Sequence, residues 1–171
     1  GELPKPSYDL DKILESRRPS GREMTGYADR FWASMGLQAM PATFWTRSMF
    51  EKPRDREVVC PGSAAIIDGR DDVRIKICAN PNAIDFTTLH HEVGHAVYAL
   101  AYRDQPYLYR ASANDAFHEA FADLADEYVR VVTEEGANRV VWDNGPLFTF
   151  GAMALAQARF SYLAGNVSLD M

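Results

Sequence analysis

Asp85-Phe86-Thr87-Thr88-Leu89-His90-His91-Glu92-Val93-Gly94-His95-Ala96-Val97-Tyr98-Ala99-Leu100-Ala101-Tyr102 decides how the chain is read. Asp85 can cap a helix here that runs to about Tyr102 and stops before Pro106. Inside it stands His91-Glu92-Val93-Gly94-His95. Residues four apart on a helix are neighbours, ~5–6 Å between Cβ atoms. Two imidazoles at that spacing can reach one zinc ion at ~2.0–2.1 Å each. Glu92 projects about 100° from His91, beside the metal rather than onto it. That suits a general base for an attacking water. By residue frequencies a chance match is on the order of one in a few hundred. All 4 histidines, His90, His91, His95 and His118, fall on this helix and the start of the next.

Catalytic zinc takes three protein ligands and keeps one position open. Glu119 is the best third ligand, on a helix that Asn114 can cap and that runs to Glu135 before Gly136. Its neighbours Phe117, Ala120 and Phe121 imply that it points toward a packed interior. Asp123, one turn on, can accept the outer N–H of a ligand histidine and fix its tautomer. The competing reading of Glu119 and Asp123 is a solvated acidic face shared with Asp115, Asp126 and Glu127. His90 and His118 flank the ligands but face elsewhere, so a surface or supporting place is expected for both.

Upstream, a short helix is expected near Asp9 to Ser16, and another over residues 22–35 ending at Gly36. Pro41 to Pro61 reads as loop. Ala64 to Asp68 and Val73 to Cys78, joined by Gly69-Arg70-Asp71-Asp72, read as a β-hairpin. Val73 to Ile77 offers an edge strand to which an extended peptide can add. A last helix is expected from Pro146 to Ala164. The fold class is mainly α with a small antiparallel β-hairpin, a zincin-like metallopeptidase core. Cys60 and Cys78 are either two reduced thiols or a disulfide, and a hairpin that joins its ends favours the disulfide. Asn166-Val167-Ser168 is a glycosylation sequon that suits an oxidising route.

Composition excludes more than it selects. The 171 residues amount to about one domain, 1–171, at roughly 150 residues each. Hydrophobic residues at 47% and charged ones at 25% are ordinary for a globular chain and argue against disorder. Eighteen Lys plus Arg against 24 Asp plus Glu leave a net charge of -6, which disfavours nucleic acid as a partner. No apolar run approaches the ~20 residues of a transmembrane segment. No leader is evident, which leaves a cytosolic or a mature chain open.

Several stretches together resemble the angiotensin-converting enzyme family of zinc peptidyl-dipeptidases. They are His90-His91-Glu92-Val93-Gly94-His95, Ala101-Tyr102-Arg103-Asp104-Gln105-Pro106 and Ala113-Asn114-Asp115-Ala116-Phe117-His118-Glu119-Ala120 with Asp123. Upstream, Phe44-Trp45, Ser48-Met49, Glu51-Lys52-Pro53, Val58-Val59-Cys60 and Arg74-Ile75-Lys76 join them. The similarity covers about residues 22 to 130. It implies His91, His95 and Glu119 as ligands of Zn2+, Glu92 as base and acid, and Asp123 as support for a ligand histidine. It also implies a Cys60–Cys78 disulfide, and with it a secreted, extracellular or periplasmic protein.

The departures bear on activity. Pro61 stands where the family has a substrate-contacting histidine, and Ala65-Ile66 replaces a Trp-Asp pair. Family members are several times longer and enclose a cleft between two mainly helical halves. The family's transition-state histidine and tyrosine, carboxylate-binding lysine and chloride-site arginine have no counterpart in the matched stretch. The expected function is zinc-dependent hydrolysis of peptide bonds, peptidyl-dipeptidase-like, on a peptide substrate. The alternative is a zinc-binding module with little turnover, one part of a larger two-lobed fold. A structural zinc site is disfavoured, because such sites are usually closed by cysteines. Tyr107 and Tyr109 are the nearest phenols in sequence to serve an oxyanion, and packing explains each equally well.

Overall fold

The computed structural model describes residues 9–134, with side chains through residue 126. The expected helix 146–164 and the sequon lie outside the described residues. The architecture is mainly helical with a two-stranded antiparallel sheet, in the order α1 (Leu10–Arg17), α2 (Gly21–Ser34), α3 (Ala42–Arg47), β1 (Ser63–Ile66), β2 (Val73–Lys76), α4 (Ala83–Tyr102), a 3-10 turn (Tyr107–Tyr109) and α5 (Asp115–Glu134).

Local chemistry starts the first two helices. Asp9 accepts the Lys12 N–H at 3.1 Å ahead of α1. Ser20 and Glu23 form a reciprocal box at α2, with Glu23 N–H on Ser20 Oγ at 3.2 Å and Ser20 N–H on Glu23 Oε2 at 2.8 Å. Gly36, at φ 79, follows α2 in a left-handed conformation that suits glycine. The expected loop of residues 41–61 is instead interrupted by α3. Six residues are too few to be stable alone; this helix persists because Phe44 is fully buried in the core.

The hairpin pairs Ser63 with Lys76, Ala64 with Ile75, Ala65 with Arg74 and Ile66 with Val73. Asp68 Oδ1 accepts the N–H groups of Arg70 (2.9 Å) and Asp72 (3.0 Å) across the turn. The expectation that Val73 to Ile77 is an edge strand is overturned. Met49 N–H donates to Ile75 O at 2.9 Å, Ile77 N–H donates to Met49 O at 2.8 Å, and Ser48 Oγ accepts Ile75 N–H at 3.0 Å. β2 is therefore covered on both sides, by a segment too short and too distant to read as a strand. Among the described residues the free edge belongs to β1. Ile67 N–H bonds Asp72 O, so by ladder alternation the backbone groups of Ala64 and Ile66 face away from β2.

Helix α4 begins earlier than expected, and its cap is Asn82 rather than Asp85. Asn82 Oδ1 takes the Asp85 N–H at 2.7 Å. The Asp85 carboxylate is occupied elsewhere, accepting from Asn80 N–H at 2.7 Å and Asn80 Nδ2 at 3.1 Å. Asn114 caps α5 as expected, its Oδ1 taking the Phe117 N–H at 2.8 Å. The core lies where α2, α4, α5 and β2 meet, around the fully buried Met24, Trp32, Phe44, Val73, Leu89 and Val93. Trp32 stacks on Phe121 at 4.9 Å between ring centroids, and its Nε1–H donates to His90 O at 3.0 Å. Gly94 makes the three-helix contact possible. A Cβ there would lie 2.7 Å from Trp32 Cζ2 and 3.0 Å from Ala122 Cα.

Candidate metal centre

Helix α4 presents His91 and His95 to α5, which supplies Glu119. His91 Nε2 and His95 Nε2 lie 2.9 Å apart, and Glu119 Oε2 lies 3.4 Å from the first and 3.5 Å from the second. Donors bound tetrahedrally to one zinc at ~2.0–2.1 Å stand ~3.3 Å from each other. The triangle fits that ion, with the two imidazoles needing to open by a few tenths of an ångström. The same three atoms form a group within 4.8 Å of one another. Two ring nitrogens face to face need either a proton between them or a shared cation.

The surroundings differ around the triangle. His95 and Glu92 are buried, at 9% and 7% relative exposure. Glu119, expected to point into a packed interior, is 60% exposed at its side chain. Its neighbours Phe117 and Phe121 turn to Tyr98 and Trp32, so apolar flanks on a helix do not bury the residue between them. Burial pushes the Glu92 carboxyl up to about 7, its Oε2 buried without a hydrogen-bond partner among the described residues. A divalent cation beside it would draw that value down again. Burial, with repulsion from His91 and His118, lowers His95 to about 4 and keeps its ring neutral, the form that ligates. His91 moves the other way, to about 8, chiefly because of Asp126.

Around His91 Nδ1 the structure brings two carboxylates, Asp123 Oδ1 at 3.2 Å and Asp126 Oδ2 at 3.3 Å. These are ion-pair contacts, and neither is aligned as a hydrogen bond to the ring. Asp126 was legible only as part of an acidic face. Its spacing of three from Asp123 already put both on one side of α5. His118 does not face away: its ring lies 4.4 Å from that of His95 and 5.3 Å from that of Tyr98, with Nε2 buried and unpartnered among the described residues. His90 is buried on the opposite side, Nδ1 at 2.8 Å from Phe86 O. Tyr107 and Tyr109 are 82% and 68% exposed, so neither packs into the core of the described residues.

The wall beside Glu92 is Gly62, immediately ahead of β1. A Cβ there would stand 2.6 Å from Glu92 Oε1, so the free edge of β1 starts against that carboxylate. Two residues before it, Cys60 is bonded to Cys78, with Cα atoms 5.0 Å apart, so the disulfide is present. No described helix is long and apolar enough to cross a membrane.

Comparison with known proteins shows the family. The model of the family described as angiotensin-converting enzyme matches residues 3–134. Angiotensin-converting enzyme of Theromyzon tessulatum is 45% identical over 120 residues, 70% of this chain and 20% of that protein. The Sus scrofa enzyme is 43% identical over 121 residues, 70% of this chain and 9% of its own. An angiotensin-converting enzyme-related protein of Drosophila melanogaster is 38% identical over 120 residues, 70% of this chain and 19% of its own. The matched stretch thus spans about a fifth or less of these relatives' length. With the match running through both helices of the triangle, the chain belongs to the angiotensin-converting enzyme family of zinc peptidases.

Proposed function

We propose that the chain carries the catalytic core of a zinc peptidase that hydrolyses peptide bonds in the manner of a peptidyl-dipeptidase. The observation that carries this is the donor triangle of His91, His95 and Glu119 with the buried Glu92 carboxylate beside it. A zinc ion held there would polarise the scissile carbonyl and acidify the attacking water. Glu92 takes the proton of that water and later delivers it to the leaving amine. Asp123 holds the outer nitrogen of His91, so that Nε2 faces inward. The free edge of β1 offers the backbone groups of Ala64 and Ile66 to an extended peptide, replacing the assignment of that role to β2. Gly62 brings that edge to Glu92 without an intervening side chain.

Residues 1–171 are read as one domain, forming one wall of a peptide cleft. The disulfide favours an extracellular, secreted or periplasmic setting. A second reading, a zinc-binding module with little turnover, is supported by Pro61, which stands where the family has a substrate-contacting histidine. One experiment separates them: zinc content and cleavage of a diverse quenched-peptide library by the wild-type chain and Glu92→Gln. The peptidase reading expects one zinc per chain in both and a ~10²–10⁴-fold loss of cleavage in the variant. Zinc uptake without cleavage by the wild-type chain leaves the module; equal cleavage by both proteins removes Glu92 from the chemistry.

A further inference from the structure

We propose that Asp126 is a second positioning residue for His91, which it clamps at Nδ1 together with Asp123. This rests on the reading of His91 as a zinc ligand.

The two carboxylates lie three residues apart on α5 and approach the same ring nitrogen, Asp123 Oδ1 at 3.2 Å and Asp126 Oδ2 at 3.3 Å. They are not equivalent. Asp123 is 62% exposed at its side chain, whereas Asp126 is 37% exposed. Asp126 Oδ1 is buried with no hydrogen-bond partner among the described residues. Its one ion pair among the described residues is with His91. Placing a carboxylate there costs solvation, and among the described residues the close contact that offsets it is the one with His91. Two like charges side by side also repel, and a ring N–H between them relieves that repulsion.

One ring N–H can bond only one carboxylate well, so the pair divides the work. Asp123, at the open rim, competes with water. Asp126, sheltered beneath it, acts in a less polar environment where its charge weighs more. Together they keep the proton on Nδ1, leave the lone pair on Nε2 and raise the ring's strength as a donor. A histidine held by one exposed carboxylate would be freer to turn.

The test measures zinc affinity by competition with a chelator, and the visible spectrum of the cobalt-loaded protein. The proteins are the wild-type chain, Asp126→Ala, Asp126→Asn, Asp123→Asn and the double variant. Asp126→Ala is expected to weaken zinc ~10–100-fold and to change the cobalt spectrum. Asp126→Asn, which keeps an oxygen acceptor, should recover part of the loss, and the double variant should lose more than either single one. Metal-free melting temperature should change little in Asp126→Ala, because the lost contact with His91 and the relieved repulsion between the two carboxylates oppose each other. Zinc affinity within twofold of wild type in Asp126→Ala overturns the proposal, as does a loss matched by a fall in metal-free melting. A wild-type chain that takes up no zinc overturns the underlying zinc-peptidase reading instead.

Discussion

The two helices that meet at the metal centre contribute to it in different ways. α4 is packed by α2, by the sheet and by α5, and ten of its residues are buried, His95 and Glu92 among them. α5 packs Phe121, Ala122 and Ala125 into the same core but leaves Glu119 and Asp123 at the rim, 60% and 62% exposed. The imidazole side of the site is thus an extension of the hydrophobic core, whereas the carboxylate side is displayed from it. Damage to the first is expected to reach the fold. Damage to the second should stop at the metal.

The largest effect is expected from Trp32, which stacks on Phe121 and holds the His90 carbonyl. Trp32→Ala should cost ~3–5 kcal/mol, read as a lower melting temperature of the metal-free chain. It should weaken zinc as well, since α4 and α5 lose the ring between them. Unchanged melting would break the comparison at its root.

Glu119→Ala comes next and probes the other side. Loss of a direct ligand should weaken zinc by more than the ~10–100-fold typical of residues that only support one. Its metal-free melting should remain within ~0.5 kcal/mol of wild type, as for exposed substitutions generally. A clear fall in that melting would show that Glu119 belongs to the core after all.

The smallest effect is remote from the metal. Arg74, and then Arg47, hold the Asp72 carboxyl down to about 2 from an ordinary 3.8. The stabilisation is therefore fully present above 3.8 and is lost as pH falls through about 2. Asp72→Asn should unfold less steeply than wild type over that acid window, measured by circular dichroism against pH. If both proteins follow one curve, the ion pairs of Asp72 with Arg74 and with Arg47 of α3 contribute nothing to stability.

Much of this is legible in the sequence. The spacing of His91 and His95, the cap Asn114 and the hairpin turn are local features, set by neighbours within a few residues. Asp85 shows the limit even of local reading. It has the right chemistry for a cap, but Asn82 stands nearer the helix start and the Asp85 carboxylate is drawn to Asn80. Glu119 shows a second limit, since apolar flanks identify a buried stripe without placing the residue between them.

By itself the sequence determined that two imidazoles and a carboxylate share one region of a helix, because α-helical geometry leaves them no other relation. It also implied the family and the disulfide. Only the tertiary structure decided that β1 rather than β2 has the free edge, because that depends on Ser48 and Met49 lying against β2. It alone decided that Gly94 seats α4 on Trp32 and Ala122, that His118 packs on His95, and that Asp126 joins Asp123 at His91. These are contacts between elements, and distance along a chain carries no information about which faces of two helices will meet.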